Sequence, residues 1–250
     1  MVSNERQLMQ EYAQLETNLE SKIKWTLRIA AIQRLQWLAM GNAPQDFAHA
    51  FYDKLYDIRN LLIANINDRR SNVVREFCHS LEIMAQRLQQ DMSKIALELV
   101  PVLVKLTPIT VTIIADSADN LVRVFIEQCD VRRALSTFVE YAQTHRSPIV
   151  RSRSLQYTGL VLTHYSPPAL NRFLSDISRV CSKCASDGDS ETRKSARFCI
   201  AHLATHDTEL YAQLVDGLDD SARFQLERDR AEIRTQAKGE PKVGEERSPK

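Results

Sequence analysis

The stretch Ser71-Asn-Val-Val-Arg-Glu-Phe-Cys-His-Ser-Leu-Glu-Ile-Met84 decides the fold, because it returns twice. Ser147-Pro-Ile-Val-Arg-Ser-Arg-Ser-Leu-Gln-Tyr-Thr-Gly-Leu-Val-Leu162 and Ser190-Glu-Thr-Arg-Lys-Ser-Ala-Arg-Phe-Cys-Ile-Ala-His-Leu203 align with it on Arg75, Arg151 and Arg193. Arg75 to Arg151 is 76 residues, twice 38, and Arg151 to Arg193 is 42. Within each copy apolar residues recur every three or four positions, so each copy reads as one amphipathic helix. A period of this length belongs to stacked helical repeats of the HEAT or armadillo kind, and helix pairs rather than triplets favour HEAT. The register predicts a further start near residue 113, and it makes Trp25-Thr-Leu-Arg28, 47 residues before Arg75, the first copy. The expected fold class is all-α, an α-solenoid paddle of about six HEAT repeats, each pair burying its apolar face on the next.

Outward from these copies the same periodicity continues, as in Leu55, Ile58, Leu62 and Ile66. The breaks carry helix-start chemistry: Ala43-Pro44, Thr107-Pro108, Ser147-Pro148, Ser166-Pro167 and Asp187-Gly-Asp-Ser190. A Ser or Thr before Pro sets an N-cap ahead of a proline at the first helical position. About twelve helices follow, among them single helices over 45–66, 109–128 and 218–233. Residues 1–226 are expected to form one repeat domain. From Glu227 to Lys250 apolar residues nearly vanish and 7 basic residues face 6 acidic ones, so 227–250 is expected to be a charged, disordered tail.

Composition excludes several function classes. The 250 residues hold only 6 Gly and 8 Pro, too few turn residues for an all-β sandwich or barrel. Gly41, Gly159, Gly188, Gly217, Gly239 and Gly244 are so scattered that no dinucleotide fingerprint exists, and Gly244 is followed by Glu245 where a P-loop needs Lys. The opening residues MVSNERQLMQEY are polar and read as no secretory leader. The most apolar run, Ile95 to Ala115, is interrupted by Glu98, Pro101, Lys105 and Pro108 and makes a poor membrane span, so no membrane insertion is expected. Cys78, Cys129, Cys181, Cys184 and Cys199 lie in apolar stretches and read as reduced, buried thiols of an intracellular chain. The net charge of +1 argues against a nucleic-acid partner unless cations are segregated onto one face.

The repeat register supplies that segregation. Turns within helix pairs line up along one edge, and they carry Lys24, Trp25 and Arg28; Arg69, Arg70, Val73 and Arg75; Thr110 and Thr112; Arg146, Arg151 and Arg153; then Arg193, Lys194 and Arg197. The turns between pairs, such as Gln89-Gln-Asp91, Cys129-Asp130 and His206-Asp207, read as less basic. A narrow row of cations ending in a tryptophan suits a flat acidic protein surface. Arg75, Arg151 and Arg193 have two open roles, contact with a partner or an internal ladder between repeats. The doubled arginines Arg69/Arg70 and Arg151/Arg153 exceed what one ladder needs.

These turns resemble those of TOG domains of the CLASP (CLIP-associating protein) family. The resemblance rests on Asp68-Arg-Arg-Ser-Asn-Val-Val-Arg-Glu76, Val100-Pro-Val-Leu103, Ile113-Ile-Ala-Asp-Ser-Ala118, Ser147-Pro-Ile-Val-Arg-Ser-Arg153 and Asp187-Gly-Asp-Ser-Glu-Thr-Arg193, and it covers about Lys22 to Asp229. It implies a non-enzymatic paddle whose intra-repeat turns bind αβ-tubulin or microtubules and regulate microtubule dynamics in the cytoplasm and cytoskeleton, at a spindle or cilium among other places. By resemblance Trp25 meets β-tubulin, with Arg69, Arg70, Val73 and Arg75 forming the second-turn patch. Arg146, Arg151, Arg153, Arg193 and Arg197 then face α-tubulin. Thr112 stands about where the family commonly has Lys, which weakens the third contact. A single paddle without a neighbouring TOG domain gains no effective concentration, which makes self-association or membership of a larger microtubule-associated complex an expectation. The alternative is a general HEAT scaffold docking another acidic protein.

No catalytic constellation emerges, and no cofactor is expected. Cys181-x2-Cys184 with Cys199-x2-His202 imitates a zinc motif. A hairpin symmetric about residue 188, however, places Cys199 roughly 7–12 Å along the helix from the first pair, too far for zinc–sulfur bonds of about 2.3 Å. His202 and His206 lack the Glu of a zincin helix, and no G-x-S-x-G is present.

Overall fold

The computed structural model describes the backbone of residues 1–239 and the side chains of residues 1–231. It is built from α1 (Glu5–Leu19), α2 (Trp25–Met40), α3 (Ala43–Asp46), α4 (Ala48–Asp57), α5 (Arg59–Ile66), α6 (Ser71–Leu88), α7 (Ser93–Leu106), α8 (Thr112–Gln128), α9 (Leu135–Thr144), α10 (Pro148–His164), α11 (Pro167–Ala185), α12 (Ser190–Leu203), α13 (Thr208–Asp216) and α14 (Asp220–Gly239). No strand occurs among the described residues. The helices form six antiparallel pairs: α1/α2, α4–α5/α6, α7/α8, α9/α10, α11/α12 and α13/α14. The second helices of the pairs touch in sequence, α2 to α6 to α8 to α10 to α12 to α14, making one layer. The first helices make the other, and each pair packs chiefly on its neighbours among the described residues, as a HEAT paddle requires.

The 3.6-residue rhythm becomes burial. In α6 the spacing of Val73, Val74, Phe77, Cys78, Leu81, Met84, Ala85 and Leu88 puts all eight side chains in the core. Helix α10 departs from a one-sided stripe: it packs against α8, α9 and α12, and buries Ser152, Ser154, Thr158 and Gly159 beside Leu155, Tyr157 and Val161. Its small residues let α12 come close. A Cβ added to Gly159 would stand 2.4 and 2.5 Å from ring atoms of Phe198.

The capping expectations hold unevenly. Asp189 caps α12 through the Thr192 amide, and Asp207 caps α13 through the amides of Glu209 and Leu210. Ser147 and Ser166 occupy the N-cap positions ahead of prolines, but their hydroxyls accept no capping hydrogen bond. Thr107 ends α7, its hydroxyl donating to the Val104 carbonyl, and α8 begins only at Thr112 rather than after Pro108. The expected single helix over 45–66 is broken at Phe47 and Ile58. At the second break Arg59 stacks on the Tyr56 ring and donates to the carbonyl that the break frees.

The expected domain boundary at 226/227 falls inside α14. Leu226 is buried, and Asp229 pairs with Arg197 at 2.8 Å, so side chains past 227 still belong to the last repeat. The rest of the expected tail, 240–250, lies outside the described residues.

Replacing a mid-helix Gly by Ala ordinarily stabilises a helix by about 1 kcal/mol. Here the Phe198 ring opposes it, and Gly159→Ala is expected to destabilise the protein by about 1–2 kcal/mol in urea unfolding. In a Phe198→Ala background the same change becomes stabilising. Stabilisation by Gly159→Ala alone would show that α10 and α12 do not depend on this approach.

Candidate functional site

The intra-repeat turns lie on one edge, and two of them are tied down by largely screened ion pairs from the second helix of the preceding repeat. Arg28, three residues into α2 and only 8% exposed, pairs with Asp68 of the second turn at 2.7 Å and donates to the Asn65 side chain at 2.9 Å. Asn65 in turn donates to the carbonyls of Leu19 and Leu61. The motif recurs three repeats on. Arg151 in α10 grips Asp187 of the fifth turn through Nε and Nη2 at 2.9 and 2.8 Å, and its Nη1 donates to the carbonyls of His145 and Arg146. Arg193 closes the same turn on itself by donating to the carbonyls of Asp187 and Gly188.

The electrostatics follow the geometry. The Arg151 hydrogen bond holds the Asp187 carboxyl below its ordinary range. Burial pushes Asp68 upward, but the Arg70 amide and the Arg28 guanidinium outweigh it and leave this carboxyl lowered as well.

Several sequence-derived contact residues are therefore withdrawn from solvent. Val73 is fully buried in the core, because its place on α6 lies on the apolar stripe. Arg28 and Arg151 brace turns. Arg193 caps its own turn, and Arg197 is drawn down to Asp229. Arg153 lies along α10, bonded to Gln156 and 3.5 Å from Asp119. In contrast Arg75, expected as a possible internal ladder residue, is exposed and only loosely paired with Glu76 at 3.4 Å.

What remains open on this edge is a defined set. Lys24, Arg69, Arg146 and Lys194 are exposed and have no ion pair among the described residues, while Arg70 is half-exposed with a loose 3.4 Å contact to Asp68. Trp25, the first residue of α2, is 39% exposed and borders a surface recess with Arg70, Ser71 and Asn72, joining the first two turns. The third turn carries no cation. Thr110 and Thr112 are exposed there, interleaved with exposed Ile109, Val111 and Ile113. With Ile23 in the first turn and Ile149 in the fourth, these form an apolar component that sequence reasoning missed. Its signal was three apolar residues alternating through a turn, where nothing buries them.

The turns between pairs differ from expectation too. The chain after Asp130 enters a short 3-10 turn carrying Arg132 and Arg133, so this edge also has cations. Cys199 lies beside Cys181, nearer than the symmetric hairpin implied, and its thiol donates to the Leu155 carbonyl at 3.0 Å. Burial raises the Cys199 thiol well above its ordinary value. Among the described residues no group of three or more His, Cys, Asp and Glu side chains gathers as a metal site, and no helix is long and apolar enough to cross a membrane.

The family model described as CLASP N terminal matches residues 6–227, nearly all of this paddle. The chain belongs to the CLASP N-terminal family. A CLIP-associated protein of Arabidopsis thaliana is 33% identical over 204 residues, covering 81% of this chain and 14% of that protein. A chain solved in a study of microtubule plus-end tracking by XMAP215, CLIP-170 and EB1 shares the fold with a TM-score of 0.70 at 19% identity, covering 92% of this chain and 91% of that one. Another, from work on tubulin recruitment by microtubule polymerases with TOG domain arrays, gives 0.68 at 16% identity over 90% of this chain and 47% of its own. The CLASP-family paddle thus spans about one seventh of its Arabidopsis relative's length.

The brace separates residues of stability from residues of contact. Arg28→Ala takes from the half-buried Asp68 its guanidinium partner, leaving it the Arg70 amide, and is expected to cost about 1–3 kcal/mol in denaturant unfolding, whereas Arg69→Ala stays within about 0.5 kcal/mol of wild type. Both braced carboxyls have lowered folded-state values, so their stabilisation is fully present above the unfolded value of about 3.9 and is lost as pH falls through the folded values. Stability measured from pH 5 downward is expected to fall less steeply in Asp187→Asn than in wild type. Equal slopes would remove the brace from the acid response.

Proposed function

We propose that this CLASP-family paddle is a non-enzymatic module that binds αβ-tubulin or the microtubule lattice through its intra-repeat edge and regulates microtubule dynamics at the cytoskeleton. The observation that carries this reading is the residue set left exposed once the braces are accounted for. Trp25 and its neighbouring recess, bordered by Arg70, form one end, Lys24, Arg69 and Arg75 belong to the same first two turns, and Arg146 and Lys194 continue the row. Such an edge offers an apolar anchor at Trp25 and unpaired or loosely paired cations to an acidic surface, the combination that gives both attachment and steering. The solved relatives add that TOG domain arrays are associated with tubulin recruitment.

Within the proposal the braced arginines act through the turns. Arg28, Arg151 and Arg193 hold the turns that present Arg70, Arg146 and Lys194, and do not touch the partner. The third turn contributes the exposed apolar residues Ile109, Val111 and Ile113 in place of a cation. Contact there is expected to be insensitive to salt, while contact at turns two and four is screened over about 8–10 Å at physiological ionic strength. Self-association, or recruitment into a larger microtubule-associated complex, would raise the effective concentration of paddles at the lattice.

The test is tubulin binding by size-exclusion chromatography with light scattering at low salt. Wild type is expected to co-elute with tubulin, and Trp25→Ala or Arg69→Glu/Arg70→Glu to weaken the complex at least about tenfold with unchanged helical circular dichroism. Added salt should weaken wild type steeply. If these variants bind as well as wild type, the edge is not the tubulin site; if wild type itself fails to bind, a scaffold for another acidic protein takes its place.

A further inference from the structure

The edge opposite the proposed tubulin contacts carries a second cationic feature. There α7 and α11 begin, and the α8–α9 turn passes between them, so three successive repeats border one recess of about 670 Å³. Its rim holds Lys94, Arg132, Arg133 and Arg172 against a single carboxylate, Asp130. Asp130 is already satisfied: Arg132 grips it with Nε at 2.8 Å and Nη2 at 2.5 Å, and this contact holds the Asp130 carboxyl below its ordinary range.

Lys94, Arg133 and Arg172 are exposed and have no carboxylate partner among the described residues. Two of them are placed by aromatic faces instead. The Lys94 ammonium sits 4.4 Å from the centre of the Tyr56 ring, and the Arg172 guanidinium 4.5 Å from that of Phe173. A ring face fixes the position of a cation without neutralising its charge. The recess therefore presents three spaced, unneutralised positive charges, and the starts of α7 and α11 add the positive ends of two long helices.

We infer that this inter-repeat recess binds an extended acidic peptide segment of a partner protein, on the edge turned away from the tubulin-facing turns. The remaining lining decides for a peptide over a bare phosphate group. Leu97, Pro168 and Ala169 give the recess an apolar floor that side-chain methylenes can cover. The exposed Asn171 carboxamide can both donate to and accept from a peptide backbone. A free phosphate would use neither. The three cations come from three different repeats, which matches an elongated ligand running along the edge more than a compact one. The inference is independent of what the other edge binds.

The test measures fluorescence polarisation of a labelled decapeptide alternating glutamate with alanine or leucine, at low salt. Wild type is expected to bind it, and Arg133→Glu/Arg172→Glu to weaken binding at least about tenfold, while retaining its thermal midpoint and its helical circular dichroism. Three controls can overturn the inference. A matching peptide with glutamine for glutamate that binds equally well removes the charge recognition. Inorganic phosphate that displaces the peptide at equal concentration makes the recess an anion site only. Equal loss in Arg69→Glu/Arg70→Glu puts the peptide on the opposite edge. Absence of peptide binding by wild type, or full affinity in the double reversal, overturns it directly.

Discussion

The arginine–aspartate brace is the interaction on which the rest of the molecule depends. A solenoid of helix pairs is held by neighbour contacts alone, and apolar packing between layers leaves the turns free to splay. Arg28 to Asp68 and Arg151 to Asp187 each tie the second helix of one repeat to the turn of the next, from sites where both partners are mostly screened from water. Because each guanidinium also donates to a neighbouring carboxamide or to turn carbonyls, its desolvation is compensated by several bonds rather than one. The turns thereby become fixed points. Arg70 and Arg146 project from turns held by these bonds, Arg70 through the Asp68 carboxylate and Arg146 through the carbonyls that Arg151 grips.

Much of this was legible in the sequence. The 38–42-residue register located the helix pairs, and the edge bearing the cations followed from it. What periodicity could not supply was the face on which each residue sits near a helix start. Arg28 and Arg75 both stand within the first turns of second-layer helices. Arg28 falls beside Ala31 and Ile32 on the buried side of α2, and Arg75 points outward from α6 between buried Val74 and Phe77. Arg28, a contact residue by register, is the internal brace, while Arg75, which the register leaves open between contact and ladder, is the exposed one, and Val73 joins the core by the same rotation.

The other departures have local causes. The 45–66 segment keeps a helical apolar rhythm straight through its breaks at Phe47 and Ile58, because short helices bent around the first repeat bury the same residues that one long helix would. Helix α10 shows no clean stripe since three neighbouring helices enclose it, so its small polar residues carry the packing that apolar residues carry elsewhere. Arg132 and Arg133 escaped notice as edge cations because they follow their turn in a 3-10 segment, one step beyond where the loop was read.

The length of the second-layer helices has a further consequence. Helix α10 runs 17 residues from the Arg146 edge to the opposite one, roughly 25 Å at 1.5 Å per residue. That is about three screening lengths at physiological ionic strength. The fields of the two edges therefore decay before they meet, and a ligand's charge on one edge is invisible from the other. Any communication across the paddle has to be mechanical, carried by axial displacement of close-packed helices whose interiors resist compression. The paddle is an electrical insulator and a stiff strut at once.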